Sequence, residues 1–311
     1  MAAPLVSVII AAYRATDLLH RAVDSLRAQT MTDWEALLVD DGSPDDTLAE
    51  CRRLATQDPR VRVVALPRNG GPAAARNAGL DHSRGVWVTI LDADDAYVPR
   101  RLATLVEQAQ AAGVDWIADN QQLYDLVADA TARTAHPRGF AARSIDVTRF
   151  LADGGPGQRF HYGWLKPMIK RASWQASCVR YREQVRFGED YLLYLEWTLR
   201  GLQGLFIEEP LYVYTTRRGQ ISGQASGTSR SPAQYGPMAA AMVEIEASYA
   251  DTLAPATAQA LAKRRAQIVG LAAPSPWRRA WTRVRHLLSD ALPAEPGRSA
   301  GATAYLDSGK R

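Results

Sequence analysis

Short apolar runs of strand length alternate with helix-patterned stretches through the first third of the chain. The apolar runs lie at residues 5–12, 34–39, 61–66 and 86–91, and residues 17–29, 45–56 and 72–82 fill the spaces between them. In the first of these spacers Leu18, Leu19, Ala22, Val23 and Leu26 share one helical face, with Thr16 placed to cap it. Continuous apolar strands separated by helices predict a parallel sheet. Right-handed crossovers then carry the carboxyl end of every strand to one edge, where open α/β sheets bind ligands. Four polar loops fall at that edge: Ala11-Ala12-Tyr13-Arg14, Asp40-Asp41-Gly42-Ser43, Arg68-Asn69-Gly70-Gly71 and Asp92-Ala93-Asp94-Asp95.

Further along the pattern is mixed. Residues 114–118 and 166–170 predict strands, 145–152 and 191–200 helices, and 205–215 two short strands broken at Pro210. A Gly-rich stretch at 153–157 predicts a loop able to act as a lid. Residues 221–232 are rich in Ser and Gly and read as a linker, residues 233–270 are Ala-rich and helical, and the chain closes in a polar tail. The organisation expected is a main domain over 1–223, with halves at 1–112 and 113–223, followed by a linker and helical extension over 224–311. Within that extension Trp277, Trp281, Val284 and Leu288 share a helical face, and Arg278, Arg279, Arg283 and Arg285 occupy the others. Two readings fit residues 275–290: a basic amphipathic helix lying in a membrane interface, or a helix packed on the domain with a solvated basic face.

Composition narrows the classes. Among 311 residues, 47% are hydrophobic and 23% charged, as in an ordinary folded domain. The balance of 37 basic against 33 acidic residues leaves +4, too little to imply a nucleic-acid partner. Cys51 and Cys178 have neither metal-ligand spacing nor a disulfide framework, which fits a reducing cytosol. The N-terminal apolar run has no basic residue before it and reads as a first strand rather than a signal peptide. No apolar run reaches 18 residues, so no membrane span is expected.

Three carboxylates, Asp92, Asp94 and Asp95, follow the fourth apolar run. So many like charges repel unless a cation or a ring of donors holds them together, and Mg²⁺ or Mn²⁺ completed by phosphate oxygens and water is the economical solution. The alternative is that Asp94 and Asp95 cap the helix beginning near Pro99 and Arg100. At the second strand end, Asp40 and Asp41 are suited to accept from a base imide or ribose hydroxyls, and Gly42 permits a close backbone turn. Asp45 or Asp46 is accounted for by the helix that follows.

Taken in order and spacing, Ser7-Val8-Ile9-Ile10-Ala11-Ala12-Tyr13, Val39-Asp40-Asp41-Gly42-Ser43, Gly71-Pro72-Ala73-Ala74-Ala75-Arg76-Asn77-Ala78-Gly79 and Leu91-Asp92-Ala93-Asp94-Asp95 resemble the family 2 glycosyltransferases of the GT-A fold. Phe187-Gly188-Glu189-Asp190-Tyr191 and the segment from Pro210 to Ser222 extend the resemblance over about residues 5–223. Lys166-Pro167-Met168-Ile169-Lys170-Arg171 with Gly188-Glu189-Asp190 resembles the exopolysaccharide, succinoglycan-type members.

The resemblance implies an α/β GT-A domain, with a mainly parallel nucleotide-sugar-binding sheet and a helical C-terminal appendage. It implies inverting transfer from a nucleoside-diphosphate sugar, with uridine expected, to a saccharide or lipid-linked saccharide, dependent on Mn²⁺ or Mg²⁺. Bacterial surface or exopolysaccharide synthesis is the expected setting, in the cytoplasm or peripherally on the inner face of the cell membrane. By that resemblance Ala11 and Tyr13 flank the base, Asp40 and Asp41 bond base and ribose, and Arg76 reaches the same pocket. Asp92 is expected at the ribose or donor sugar, Asp94 on the metal, and Arg217 or Arg218 on the leaving diphosphate. Asp190 is expected to be the base, with Glu189 orienting the acceptor or serving the structure. His161, Tyr162 and Trp164 suggest an aromatic acceptor platform, with core packing as the alternative. The first loop departs from the family pattern: Ala11 and Arg14 stand where many members carry Thr or Ser and then Asn. A nucleotidyltransferase would open with a Gly-rich basic loop, a dinucleotide oxidoreductase with GxGxxG, and residues 11–14 are neither. A non-catalytic binding module is disfavoured by intact Asp94 and Asp190.

Overall fold

The apolar runs at 5–12, 34–39 and 86–91 become strands largely buried on both faces by the connecting helices, while the run at 61–66 lies at the sheet edge and is only partly buried. The computed structural model describes residues 3–136, 143–153, 160, 162–216 and 232–272. In it β1 (Val6–Ala12), β2 (Trp34–Asp40), β3 (Val61–Ala65) and β4 (Trp87–Ile90) pair in parallel in the order β3-β2-β1-β4. Their connections are α1 (Leu19–Arg27), α2 (Thr47–Gln57) and α3 (Pro72–His82). Helix α1 buries Leu19, Ala22, Val23 and Leu26, the stripe its spacing predicts. It starts after Leu18 without a side-chain cap, and the Thr16 hydroxyl turns to Asp17 instead. At α2, Asp45 accepts from both the amide and the hydroxyl of Thr47.

Past β4 the chain forms β5 (Ala96–Tyr97), α4 (Arg101–Ala112), β6 (Trp116–Asp125), β7 (Ala130–Thr134), β8 (Arg143–Ile145) and α5 (Val147–Asp153). After a 3₁₀ turn at Tyr162–Trp164 come β9 (Met168–Lys170), α6 (Arg171–Ser177), α7 (Glu189–Leu199), β10 (Gly204–Thr216), α8 (Pro232–Tyr249) and α9 (Pro255–Ala272). The sheet continues β4-β9-β6-β10-β5, with β9 antiparallel to both its neighbours and β6 parallel to β10. The second half of the sheet is therefore mixed, while the parallel pairing expected of the nucleotide-sugar-binding strands holds across β1 to β4. The two strands expected around Pro210 are one strand, β10, whose register against β6 shifts between Ile207, Pro210 and Tyr212. Proline offers no N–H to the ladder, so the strand bulges there and resumes.

Alternation along β1 divides the core into two layers. Val6, Val8 and Ile10 join the layer of α1, α2 and α4, while Ile9 joins that of α3, α5 and α7. The second layer also takes Met238, Met242 and Ile245 from α8 and Leu261 and Ile268 from α9. The packed unit thus runs to Ala272, past the boundary expected at 223. No helix among the described residues is long and apolar enough to cross a membrane.

Among the described residues, one ion pair lies wholly inside. Arg101 of α4, 0% exposed, grips both oxygens of Asp119 on β6 at 2.8 and 3.0 Å, with its guanidinium 4.1 Å from the Tyr97 ring centre. Burial still pushes the Asp119 carboxyl above its ordinary value, against the pull of Arg101. Arg101→Met leaves that carboxylate uncompensated and is expected to cost about 3–5 kcal/mol in urea unfolding. Arg101→Met with Asp119→Leu is expected to recover most of the loss.

Candidate active site

Three separate segments converge beyond the end of β4. Helix α3 turns Arg76 inward, the segment before β9 supplies Lys166, and the first turn of α7 supplies Glu189 and Asp190. Arg76 Nη1 donates to Glu189 Oε1 at 3.0 Å and Asp190 Oδ1 at 3.1 Å, and Nη2 donates to Asp92 Oδ1 at 3.0 Å. Lys166 Nζ lies 2.9 Å from Asp92 Oδ2 and 3.0 Å from Asp190 Oδ2. Asp92 and Asp190 thus each give one oxygen to Arg76 and the other to Lys166, closing a ring of charge with Glu189 at its side.

The electrostatics follow from that ring. Burial would raise the Asp92 carboxyl, but Lys166 and Arg76 outweigh it and hold Asp92 well below the usual carboxylate range. Burial likewise works against the charged Lys166 ammonium, and Asp190 and Asp92 more than reverse it. Glu189 moves the other way: burial first, then neighbouring Asp190, push its carboxyl up despite Arg76. At the N-terminus of α7, after Gly188 in the left-handed region (φ 81°), the helix dipole favours both carboxylates.

The other sequence-predicted residues divide. Asp95 caps no helix, since α4 begins at Arg101. Its oxygens accept from the Tyr212 hydroxyl at 2.6 Å and the Thr215 amide at 2.7 Å, while Tyr212 also accepts from the Asp92 amide. Burial, then Asp94 and Asp92, push the Asp95 carboxyl well above its ordinary value. Asp94 is half-buried on this loop, and its carbonyl accepts from Arg21. Asp41 latches the next loop, taking the Gly70 and Gly71 amides at 2.8 Å each and the Asn69 side chain at 3.0 Å. That latch needs Gly42 (φ 61°), where a Cβ would stand 2.5 Å from the Arg68 carbonyl carbon. Asp40 accepts from the Ser43 amide through Oδ2, and its Oδ1 is buried without a hydrogen bond.

Tyr13 is 43% exposed at the rim with the Arg14 guanidinium over its ring, and Ala11 is half-buried behind it. Trp164 is 45% exposed, whereas Tyr162 is buried and stacked on Phe150 at 4.2 Å, a core residue rather than part of an acceptor platform. His161, Arg217, Arg218, the loop at 154–157 and the helix expected at 275–290 lie outside the described residues. Arg76, expected in the nucleotide pocket, is spent on the carboxylates. Lys166 was not among the expected site residues. Its signal was a lone cation between Leu165 and Pro167-Met168-Ile169, a buried position that demands a carboxylate.

Whether a divalent cation fits turns on the donor set. Among the described residues no three His, Cys, Asp or Glu side chains are grouped to hold a metal. Asp92 and Asp95 have both oxygens engaged, and to the burial that pushes Asp95 up, Asp94 and Asp92 add a repulsion that a cation would relieve. These residues fit an ion held by one or two carboxylates and completed by phosphate and water, the usual habit of Mg²⁺, rather than a preformed protein cage.

A depressed carboxyl contributes stability that is present above its unfolded value, about 4, and is lost as pH falls through the folded one. The parent is therefore expected to lose more stability between pH 5 and pH 2.5 than Asp92→Asn does, read from urea midpoints. Because 26% of the Asp92 side chain stays exposed, screening keeps the cost of that substitution at pH 7 to about 1.5–3 kcal/mol.

Residues 7–157 match Glycosyl transferase family 2. The succinoglycan biosynthesis protein ExoO of Rhizobium meliloti (strain 1021) is 35% identical over 222 residues, covering 70% of this chain and 63% of that protein. The chain thus spans under two thirds of that relative's length. Among solved structures, S. aureus TarS 1-349 in complex with UDP-GlcNAc superposes with a TM-score of 0.64 at 21% identity, covering 83% of this chain and 70% of that one. Mannosyltransferase PcManGT from Pyrobaculum calidifontis, in complex with GDP-Man and Mn²⁺, gives 0.58 at 19% identity, covering 93% of this chain and 81% of that one. The chain carries a glycosyl transferase family 2 domain built on the GT-A fold.

Proposed function

We propose that the chain transfers a sugar, with inversion, from a nucleoside-diphosphate sugar to a hydroxyl of a saccharide or lipid-linked saccharide, in bacterial surface or exopolysaccharide synthesis. The observation that carries this reading is Asp190, gripped on both oxygens by Arg76 and Lys166 beside Asp92 at the carboxyl edge of the sheet. An acceptor oxygen attacking the anomeric carbon must give up its proton while the bond from that carbon to the diphosphate breaks. Asp190 takes the proton, and its two cations fix where it waits. Glu189, one residue earlier on the same turn, orients the acceptor, with exposed Trp164 as an apolar surface for a sugar ring.

On the donor side, Tyr13 and Ala11 flank the base. The unpartnered Oδ1 of Asp40 is suited to a base imide N–H, since a buried acceptor without a donor is costly. Asp41 serves this pocket through the loop it latches. Asp92 meets the ribose or donor sugar. Mn²⁺ or Mg²⁺ on Asp94 would neutralise charge on the departing diphosphate, which Arg217 or Arg218 would also meet. Uridine is our choice of nucleotide, in keeping with the UDP-GlcNAc of TarS, although PcManGT carries GDP-Man.

Asp190→Asn is expected to leave UDP affinity, by calorimetry with Mn²⁺, within about twofold while lowering transfer by about 10²–10⁴. Asp94→Ala is expected to abolish Mn²⁺-dependent UDP binding, and equal affinity in parent and variant would remove the metal assignment. A lipid-linked acceptor calls for contact with a membrane, which we assign to residues 275–290. Deleting residues 275–311 should release the protein from anionic liposomes, and unchanged co-sedimentation would sink that assignment.

A further inference from the structure

Helix α9 has a cation where its core stripe calls for an apolar residue. Leu261, Arg264 and Ile268 are its buried positions, spaced to share one face, and Arg264 is only 4% exposed. Its guanidinium hydrogen bonds run to three neutral oxygens: Nη1 to the Tyr191 hydroxyl at 2.8 Å, Nη2 to the Leu151 carbonyl of α5, and Nε to Gln267 Oε1 at 3.1 Å. Burying a guanidinium against neutral acceptors is costly, and its bonds to Tyr191 and Leu151 tie α9 to α7 and α5.

That geometry bears on the first turn of α7. Tyr191 follows Asp190 directly, and its ring packs against Phe150 of α5 with centres 5.2 Å apart. Gly188, which begins the turn, lies against Met238 of α8 so closely that a Cβ there would stand 2.6 Å from the sulfur. Farther along, Arg182 joins Glu196 of α7 to Glu244 of α8 at 3.0 and 2.7 Å. The helical pair after residue 231 thus holds α7 from the side away from the sheet. The donor loops, by contrast, hang from β1 to β4.

We propose that α8 and α9 are a positioning element of the active site, in which Arg264 and Met238 set the first turn of α7 and so place Asp190 against Asp92 and the acceptor. Neither residue touches substrate. The consequence for turnover rests on the transfer reading above, while the structural consequence stands without it. A small displacement of a reacting group can cost on the order of 10²-fold in rate.

The test uses the full chain with Arg264→Met, Arg264→Lys and Tyr191→Phe, the last removing only the hydroxyl that Arg264 grips. Amide hydrogen exchange needs no substrate. Exchange at residues 189–193 is expected to quicken about tenfold or more in Arg264→Met and Tyr191→Phe, with residues 47–57 of α2, in the other core layer, unchanged and Arg264→Lys closer to the parent. Unchanged exchange at 189–193, or equal quickening at both segments, would overturn the proposal. Calorimetry with UDP and Mn²⁺ is expected to give affinities within about twofold of the parent, because the donor loops are untouched. With a donor and acceptor that the parent turns over, kcat should fall about tenfold or more at an unchanged donor KM, and unchanged kcat in folded Tyr191→Phe and Arg264→Met would overturn it. A parent that turns over no UDP-, GDP- or TDP-sugar would count against the transfer reading alone, and hydrogen exchange would still decide the role of the helical pair.

Discussion

Two cations and three carboxylates packed beyond the end of β4 are the constraint on which the rest of the site depends. Arg76 and Lys166 have 6% and 7% of their side-chain surface exposed, so each requires the carboxylates it faces, and those carboxylates require the cations. The members come from positions 76, 92, 166, 189 and 190, and only a particular sheet order brings them together. Because β9 runs antiparallel to β4, with Trp87 opposite Lys170 and Thr89 opposite Met168, the end of β4 lies beside the approach to β9. Continuing that register places Lys166 level with Leu91, one residue short of Asp92. A parallel β9 would have carried the lysine to the opposite edge of the sheet.

What was legible in the chain, and what was not, follows the range of the interactions involved. The parallel half reads well because burial on two faces, helical stripes and strand-end loops are local patterns, and α1 buries the face its spacing marks. The antiparallel insertion of β9 rests on pairing across 80 residues, which no local pattern encodes. The same limit governs side-chain partners. Asp41 looked like a ligand contact, and its latch on Gly70 and Gly71 comes from a loop nearly 30 residues away. Arg76 sits where expected in sequence, yet its direction was set by Glu189 and Asp190, more than 110 residues on.

The acidic loop shows how one motif separates into unlike tasks. Asp92 belongs to the charge ring, while Asp95 anchors the loop to β10 through Tyr212 and Thr215. Tyr212 serves both, donating to Asp95 and accepting from the Asp92 amide, so the loop's shape is tied to the strand beside it. Arg21 of α1 reaches both the Asp94 carbonyl and Thr215, adding a third element to the same tie. Carboxylates this close repel, and at Asp92 and Asp95 the fold meets the repulsion with donors.

The extent of the packed unit illustrates the difference between composition and burial. A Ser/Gly-rich stretch at 221–232 has the make-up of a linker, and an Ala-rich segment after it reads as an appendage. Yet a domain ends where apolar surface stops being shared, and Met238, Met242, Ile245, Leu261 and Ile268 share theirs with α5 and α7. The sheet alone covers only one side of α7, whose buried residues Tyr191, Leu192, Leu193, Tyr194, Leu195 and Trp197 run all round the helix. A helix apolar on every side must be enclosed on every side. The pattern of α7 therefore already required a further layer, and α8 and α9 are that layer.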